Sequence, residues 1–567
     1  MLLTGLFVGI MVYIGPFLEF PSDPLYHLSA TQSWETARSL DVVEDRHSHF
    51  VYFVNHWLLQ PSNISWGERA GVTLLTALLN GILFLSFIRF TKLFSKKNYI
   101  GWSGAIASLG FFGTSIFSYY RYYVLADSFI AYLVFMEALF LVSGFFISER
   151  FRYLVLLPLL MAFCWQNHAQ EVLLLANAVA GIGLGLFIFR YHKLSPNFRT
   201  QLFCLVGVGI FGVILIFSST NTPLVSLQEE FFLQRIMDGL LENPLYVIEF
   251  SRLNSAMGVG AWIAMVAAIV VLFSSKSSKK IVILAGLCIW PIVVLWNPLA
   301  ISLLQRAIPS SSVLYRLIFG SLYWVFIVVF LEFIFDRRQQ LSRLLTRFSF
   351  FQGSNFYRFR HLQLLAVLGV FLGITLIPHA PVRGKILHLL TKTESMHDGR
   401  DLNSVIRYLR QDAPFHCIDP YLGSKNLPVR RFILSDPYIN QYLLATGYFY
   451  TMTDRWRIIY PNEPEQRDFP NQFILRWLKD IKRKPEGSDK SPVFPDVLRE
   501  HNICYVLLYS GDSVPSSRIG ILSGHWAGDF VNSRHDYSKK LFRWIGKYPL
   551  DFQLVFKDES VQLYRVL

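Results

Sequence analysis

Long apolar runs alternate with polar loops through the first two thirds of the chain. The runs lie at residues 1–19, 71–91, 101–120, 127–147, 153–166, 171–189, 201–218, 257–274, 281–298, 317–335 and 362–378. About 20 apolar residues in a helix cross the hydrocarbon core of a bilayer, and tilt or burial accommodates shorter runs. The first run has neither a basic start nor a small-residue cleavage site, so we expect an uncleaved span. The pattern predicts a polytopic α-helical membrane protein with about eleven transmembrane helices.

The last third of the chain has the pattern of a globular domain instead. Residues 503–509 are apolar and rich in β-branched and aromatic side chains, and residues 550–567 alternate like a closing hairpin. Further predicted elements are a strand at 432–434 and helices at 401–409, 437–446 and 495–500. The tail is therefore predicted to be a small soluble α/β domain.

Positive charge is concentrated in the loops after every second run. These loops carry Lys92, Lys96, Lys97, Arg150, Arg152, Arg190, Lys193, Arg199, Lys276, Lys279, Lys280, Arg337, Arg338, Arg343, Arg347, Arg358 and Arg360. Because loops rich in Lys and Arg stay in the cytoplasm, the opposite face is predicted to be external. We expect a transmembrane domain over 1–378, with a long first outer loop at 20–70, and an extracytoplasmic domain over 379–567.

Composition agrees with a membrane protein. Only 16% of the 567 residues are charged and 53% are hydrophobic, whereas soluble domains carry about 25% charged residues. The net charge of +14 would suggest nucleic-acid binding in a soluble protein, but here it reads as a topology signal, and no nucleic-acid partner is expected. Five cysteines are too few for a disulfide framework, although Cys417 and Cys504 could pair in an oxidising compartment.

Two acidic residues stand where predicted spans meet the outer face. Asp23 follows the first span, with His27 four residues later, and Asp127 opens the fourth span shortly after Arg121. Each acid could simply cap a helix. Each could instead serve as a general base or a metal ligand at the membrane surface. Arg121 would then bind an anionic ligand, or it would merely extend to the interface.

A second group of polar residues is predicted on the same face. His168 and Glu171 lie between the fifth and sixth spans and could share one helical face. Arg316 enters the tenth span, where its fixed fork of donors would suit a phosphate, although an interfacial arginine is an equally simple reading. Charge topology places Asp23, Asp127, His168 and Arg316 together on the external side.

With these residues in place, the chain resembles the GT-C superfamily of integral membrane glycosyltransferases. Ser22-Asp23-Pro24-Leu25-Tyr26-His27-Leu28 is similar to the first-loop Asp motif of oligosaccharyltransferase catalytic subunits. Tyr122 to Ala131 is similar to the second-loop acidic motif of protein mannosyltransferase-like and aminoarabinose transferase-like members. The tail lacks a Trp-Trp-Asp motif, and Asp-Pro stands where protein mannosyltransferases carry Asp-Glu. The resemblance therefore extends to the superfamily and not to one subfamily.

The resemblance implies an inverting transferase of the bacterial inner membrane. It would take a sugar from a polyprenyl phosphate or diphosphate carrier and pass it to a lipid, glycan or protein acceptor outside the cytoplasm. Asp23 would be the base or hold a divalent metal, Mg or Mn, with help from Asp127. The residues expected to bind substrate are His27, Arg121, His168, Glu171 and Arg316. Two other classes stay open: a transporter or flippase for lipid-linked sugars, and a non-catalytic scaffold of cell-envelope assembly.

Overall fold

The computed structural model describes 17 stretches of the chain. They are residues 70–95, 97–110, 127–167, 170–203, 233–237, 245–257, 259–274, 277–307, 314–333, 404–405, 408–409, 431–434, 449–451, 494–500, 503–509, 541–558 and 561–567. Most described residues between 78 and 333 form one compact unit, and those from 404 onward form another. The predicted boundary at residue 379 and the predicted first loop at 20–70 lie outside these stretches and remain predictions.

The first unit is helical. Its helices are α1 (Ala70–Phe94), α2 (Asn98–Gly110), α3 (Asp127–Ser148), α4 (Leu157–Asn167), α5 (Gln170–Arg190), α6 (Phe250–Met257), α7 (Val259–Phe273), α8 (Lys279–Leu295), α9 (Pro298–Ala307) and α10 (323–333). A hairpin of β1 (Leu233–Met237) and β2 (Leu245–Ile248) precedes α6, and a 3-10 segment, Tyr315–Gly320, precedes α10.

Three described helices are long and apolar enough to cross a membrane. They cover Phe129–Ser148, Gln170–Arg190 and Arg316–Phe333, and shorter apolar helices cover Phe151–Trp165 and Gly260–Phe273. Three predicted spans thus coincide with membrane-length helices, and the total of about eleven remains a prediction.

Two predicted spans depart from the hydropathy pattern at one end. The run at 153–166 begins in a 3-10 turn, Phe151–Leu154, that leads into α4. The run at 281–298 ends at Leu295, because Asn297 starts a new helix by accepting hydrogen bonds from the amides of Leu299 (3.0 Å) and Ala300 (3.2 Å). Such a side-chain cap replaces the missing backbone acceptor at a helix start.

Helices α5 and α8 approach each other closely. Gly181 and Gly185 of α5, one turn apart, both face Gly286 of α8. Small residues spaced in this way let two helix backbones approach closely. In a bilayer the hydrophobic effect does not hold helices together, so the van der Waals contacts of such an approach stabilise the pair.

Basic residues of the predicted cytoplasmic loops join neighbouring helices. Arg190, at the end of α5, donates hydrogen bonds to the carbonyls of Ser274 (2.6 Å) and Ser277 (3.2 Å) beyond α7. Glu149, just after α3, accepts from Lys279 (2.5 Å) and Ser195 (2.5 Å). The basic residues of these loops therefore connect neighbouring helices, in addition to carrying the positive charge from which the orientation was predicted.

The second unit contains a five-stranded mixed sheet. Its strands are β3 (Arg431–Leu434), β4 (Phe449–Thr451), β5 (Ile503–Tyr509), β6 (Phe552–Lys557) and β7 (Val561–Val566), in the order β4-β3-β5-β7-β6. β3 runs parallel to β4 and β5, whereas β7 is antiparallel to β5 and β6. Two helices, α11 (Phe494–Glu500) and α12 (541–547), accompany the sheet.

Both helices contribute to the core of this unit. Leu498 of α11 and Leu541 of α12 are fully buried with Val506 of β5. The strand predicted at 503–509 and the closing hairpin at 550–567 are confirmed, and the predicted helix at 437–446 lies outside the described residues. Cys504 takes part in a disulfide bond, so its predicted pairing with Cys417 remains a prediction.

Candidate functional site

Four segments of the first unit meet near the start of α5. Helix α3 begins at Asp127, α4 ends at Asn167, α5 begins at Gln170, and the 3-10 segment begins at Tyr315. Their meeting point lies at the end of the helices that charge topology predicts to be external. Polar groups at the mouths of spans are costly to keep dry and are often functional.

Arg316 lies at this point and contacts α5. Its Nη1 donates a hydrogen bond to Oε1 of Gln170 at 3.0 Å, and Gln170 is only 6% exposed. The Nε of Arg316 is buried and finds no acceptor among the described residues. A guanidinium has five N–H donors in a fixed fork, so this one retains donors for an additional acceptor. An anion with several oxygens, such as a phosphate, fits that need.

A buried carboxylate, Glu171, follows Gln170 in α5. Glu171 is 1% exposed and lies close enough to Tyr132 of α3 and Cys164 of α4 to interact with both electrostatically. Glu171 is therefore oriented toward α3 and α4, whereas its neighbour Gln170 contacts the 3-10 segment. The two adjacent residues serve different sides of the site.

Tyr132 fastens the 3-10 segment to α3. This side chain is completely buried, and its hydroxyl donates a hydrogen bond to the carbonyl of Phe319 at 3.3 Å. The Sγ of Cys164 approaches the carbonyl of Ala131 at 3.7 Å and links α4 to the same turn of α3. Arg316 thus projects from a segment that is held from two sides, by Gln170 and by Tyr132.

The structure brings together only some of the predicted site residues. Glu171 and Arg316 lie on adjoining segments and are connected through Gln170, and Asp127 is the first residue of α3. The remaining predicted residues lie outside the described stretches: Asp23, His27, Arg121 and His168. Their roles remain predictions.

Sequence reasoning missed two residues that build the site. Gln170 lies between the predicted residues His168 and Glu171 but carries no charge, and Tyr132 lies inside an apolar run where an aromatic residue is ordinary. Within the described stretches no group of three or more His, Cys, Asp or Glu side chains could hold a metal ion. The metal role predicted for Asp23 and Asp127 is not tested by this, because neither side chain is described.

Comparison with solved structures finds a similar fold in an archaeal oligosaccharyltransferase, in agreement with the fold that the sequence motifs predicted. The chain is similar to the oligosaccharyltransferase of Archaeoglobus fulgidus in its apo form, with a TM-score of 0.51 at 10% identity over 94% of this chain and 71% of that one. The same enzyme tethered to an acceptor peptide containing the NVT sequon gives a TM-score of 0.50 at 9% identity, covering 93% and 71%. The sequence matches no protein-family model and no curated protein, so the likeness is one of fold.

Proposed function

We propose that this protein is a membrane glycosyltransferase that takes a sugar from a polyprenyl phosphate or diphosphate carrier. The acceptor would be a lipid, a glycan or a protein, and the acceptor peptide held by one structural neighbour favours the last. The similarity of fold supports a membrane glycosyltransferase. The carboxylates of Asp23 and Asp127, predicted on the outer face, would provide the general base. A fold alone does not define a function, so the proposal depends on the site.

The observation that carries the proposal is the state of Arg316. Its guanidinium is oriented by Gln170, it lies at the end of a membrane-length helix, and its buried Nε has no acceptor within the described stretches. A buried donor without an acceptor is costly, roughly 1–3 kcal/mol, unless a ligand satisfies it. The phosphate of a membrane-embedded carrier reaches the bilayer surface at the depth of such a residue.

The proposed reaction is a single displacement with inversion at the sugar. The nucleophilic oxygen or nitrogen of the acceptor attacks the anomeric carbon, and the bond from that carbon to the carrier phosphate breaks. Asp23 accepts the proton of the nucleophile. Arg316 stabilises the negative charge that develops on the departing phosphate. Asp23 and Asp127 would offer the oxygen ligands that Mg²⁺ or Mn²⁺ prefers, and such a cation would add positive charge at the phosphate.

One described feature separates this proposal from the transporter reading. A transport path needs ionisable residues near the middle of spans that are free to engage cargo. The acid of that kind, Glu137 of α3, forms an ion pair with Arg89 of α1 at 2.6 Å, and Arg89 lies 4.0 Å from the ring centre of Phe140. This pair is better explained as a joint between two helices.

We also place the second unit outside the cytoplasm of a bacterial inner membrane. The positive loops support this orientation. The disulfide of Cys504 supports it as well, because disulfides persist in oxidising compartments.

The experiment measures transfer of labelled sugar from a polyprenyl-linked donor in membranes that carry each variant. Arg316→Lys keeps the charge but loses the fork of donors, so we expect intermediate activity, with Arg316→Ala lower still. Arg152→Ala is the matched control, because it removes an exposed positive charge at the opposite end of the helices. Equal transfer by native protein and both Arg316 variants would refute the proposal.

A further inference from the structure

We infer that Gln170 is a positioning residue that orients Arg316 with a neutral acceptor, so that the site keeps a full positive charge for the carrier phosphate. The inference rests on the proposed function and adds the residue that sets the charge of the site. Gln170 contacts Arg316 and is not assigned to the reacting atoms.

A hydrogen bond to Gln170 holds one edge of the Arg316 guanidinium. Oε1 of the buried Gln170 accepts from Nη1 of Arg316 at 3.0 Å across 146 residues of sequence. Tyr132 holds the carbonyl of Phe319, one turn beyond Arg316, so the backbone that carries the arginine is fixed as well. With its base and one edge fixed, the guanidinium loses little freedom when an anion binds to the rest of the fork.

Three other cations of this unit pair with carboxylates. Arg89 pairs with Glu137 at 2.6 Å, Lys97 with Glu332 at 3.1 Å, and Lys279 with Glu149 at 2.5 Å. Each of these three cations is paired with a carboxylate from another segment, whereas Arg190 is held by backbone carbonyls. Arg316 is held by a neutral side chain instead, although α5 carries a carboxylate at the very next position.

The difference has an electrostatic consequence. A carboxylate in place of the amide would orient the guanidinium equally well but would cancel its charge where an anion must bind. An amide orients it and leaves the charge in place.

The test is binding of undecaprenyl phosphate to the purified full chain in detergent at constant salt. Gln170→Glu should weaken binding roughly tenfold or more. The introduced carboxylate would neutralise the charge of Arg316 and compete with the phosphate for its N–H donors. Gln170→Met, which keeps the net charge and loses only the acceptor, should weaken binding less than Gln170→Glu. Gln201→Glu is the matched control, since it adds the same charge at an exposed position near the opposite end of α5, and we expect native affinity.

Acidification provides a readout that a purely structural role would not change. An ordinary glutamate carboxyl is half protonated at about pH 4.3, so at about pH 3.5 most of the introduced carboxyl is a neutral acceptor again. The ratio of native to Gln170→Glu affinity, measured at each pH, should therefore fall toward one, while the ratio for Gln170→Met stays constant.

The outcomes separate the inference from the function on which it rests. Native affinity in Arg316→Ala, or equally tight binding of inorganic phosphate, would refute a lipid-phosphate site at Arg316. Loss of binding in Arg316→Ala with native affinity in Gln170→Glu would refute the role of Gln170 alone. Equal losses in Gln170→Glu and Gln170→Met, with no recovery at low pH, would show that Gln170 serves only the packing of α5.

Discussion

The contact between α5 and α8 predicts a large penalty for a single methyl group. A Cβ added to Gly181 would lie 2.5 Å from the Cβ of Trp290 and 2.8 Å from the carbonyl oxygen of Gly286. A Cβ added to Gly286 would overlap the carbonyl oxygen of Gly181. Backbone atoms and a Cβ cannot rotate away, so Gly181→Ala and Gly286→Ala must each push the two helices apart.

The magnitude follows from the deficit in distance. Carbon atoms in good contact lie about 3.5–4.0 Å apart, so the helices must separate locally by roughly 1 Å. Overpacking of this kind costs about 1–3 kcal/mol. Alanine recovers up to about 1 kcal/mol through its better helix propensity. We expect each substitution to destabilise the folded state by about 1–2 kcal/mol net.

Buried thiols supply the assay. Cys164 and Cys288 are free and buried, and Cys288 lies on α8 close to Gly286. A maleimide that fluoresces on reaction will report their exposure as the detergent-solubilised protein is heated. The two alanine variants should expose their thiols at lower temperature than the native chain.

A control on the same helix tests the reasoning. A Cβ on Gly183 would meet only a methyl of Leu202 at 3.4 Å, which is ordinary contact with a movable side chain. Gly183→Ala should therefore unfold at the native temperature or slightly above it. If Gly181→Ala and Gly286→Ala behave like Gly183→Ala, the close approach of α5 and α8 is not as described.

Three further predictions concern chemistry, topology and pH. Asp23→Asn should express normally but transfer sugar on the order of a hundredfold more slowly, because Asn caps a helix as well as Asp but cannot accept a proton; near-native transfer would make Asp23 a cap. A reporter that is active only in the cytoplasm should stay silent when fused after Leu567, and a working fusion would overturn the topology. Burial alone would raise the pKa of Glu149, but hydrogen bonds from Lys279 and Ser195 and the charge of Lys279 lower it below its usual range. A lowered folded-state pKa gives stability that is present above the unfolded value and lost as pH falls through the folded one. Glu149→Gln should therefore lower the free energy of unfolding at pH 7 by up to about 1 kcal/mol. The difference in melting temperature between native and variant protein, followed by tryptophan fluorescence, should narrow below about pH 4.

Sequence pattern predicted the elements whose signals are local. The strand at 503–509 and the hairpin at 550–567 alternate in side-chain character over their own length, so period and position agree with the structure. The break after Leu295 escaped prediction because hydropathy averages over a window. A single Asn that caps a new helix changes the path of the chain without changing that average.

The site was predictable only in part for a related reason. Arg316 was a candidate from the sequence because a charged residue at the mouth of a span stands out among apolar neighbours. Gln170 and Tyr132 were not, because a neutral amide and an aromatic ring are unremarkable where they occur. What makes them functional candidates is contact across 146 and 187 residues of chain, respectively, and no local pattern encodes a contact of that kind.

Helix α5 is held at three points along its length. Its first residue, Gln170, orients Arg316; its middle, at Gly181, is fixed against α8; and its last residue, Arg190, is bound to backbone carbonyls beyond α7. A helix held at both ends and at its centre cannot slide along its axis without breaking one of these contacts. The position of Arg316 relative to α5 and α8 is thereby fixed, which is what the proposed binding of a carrier phosphate at the bilayer surface would require. Loosening the glycine contact should consequently weaken undecaprenyl phosphate binding as well as stability, although Gly181 and Gly286 lie in the interior of their helices, away from Arg316.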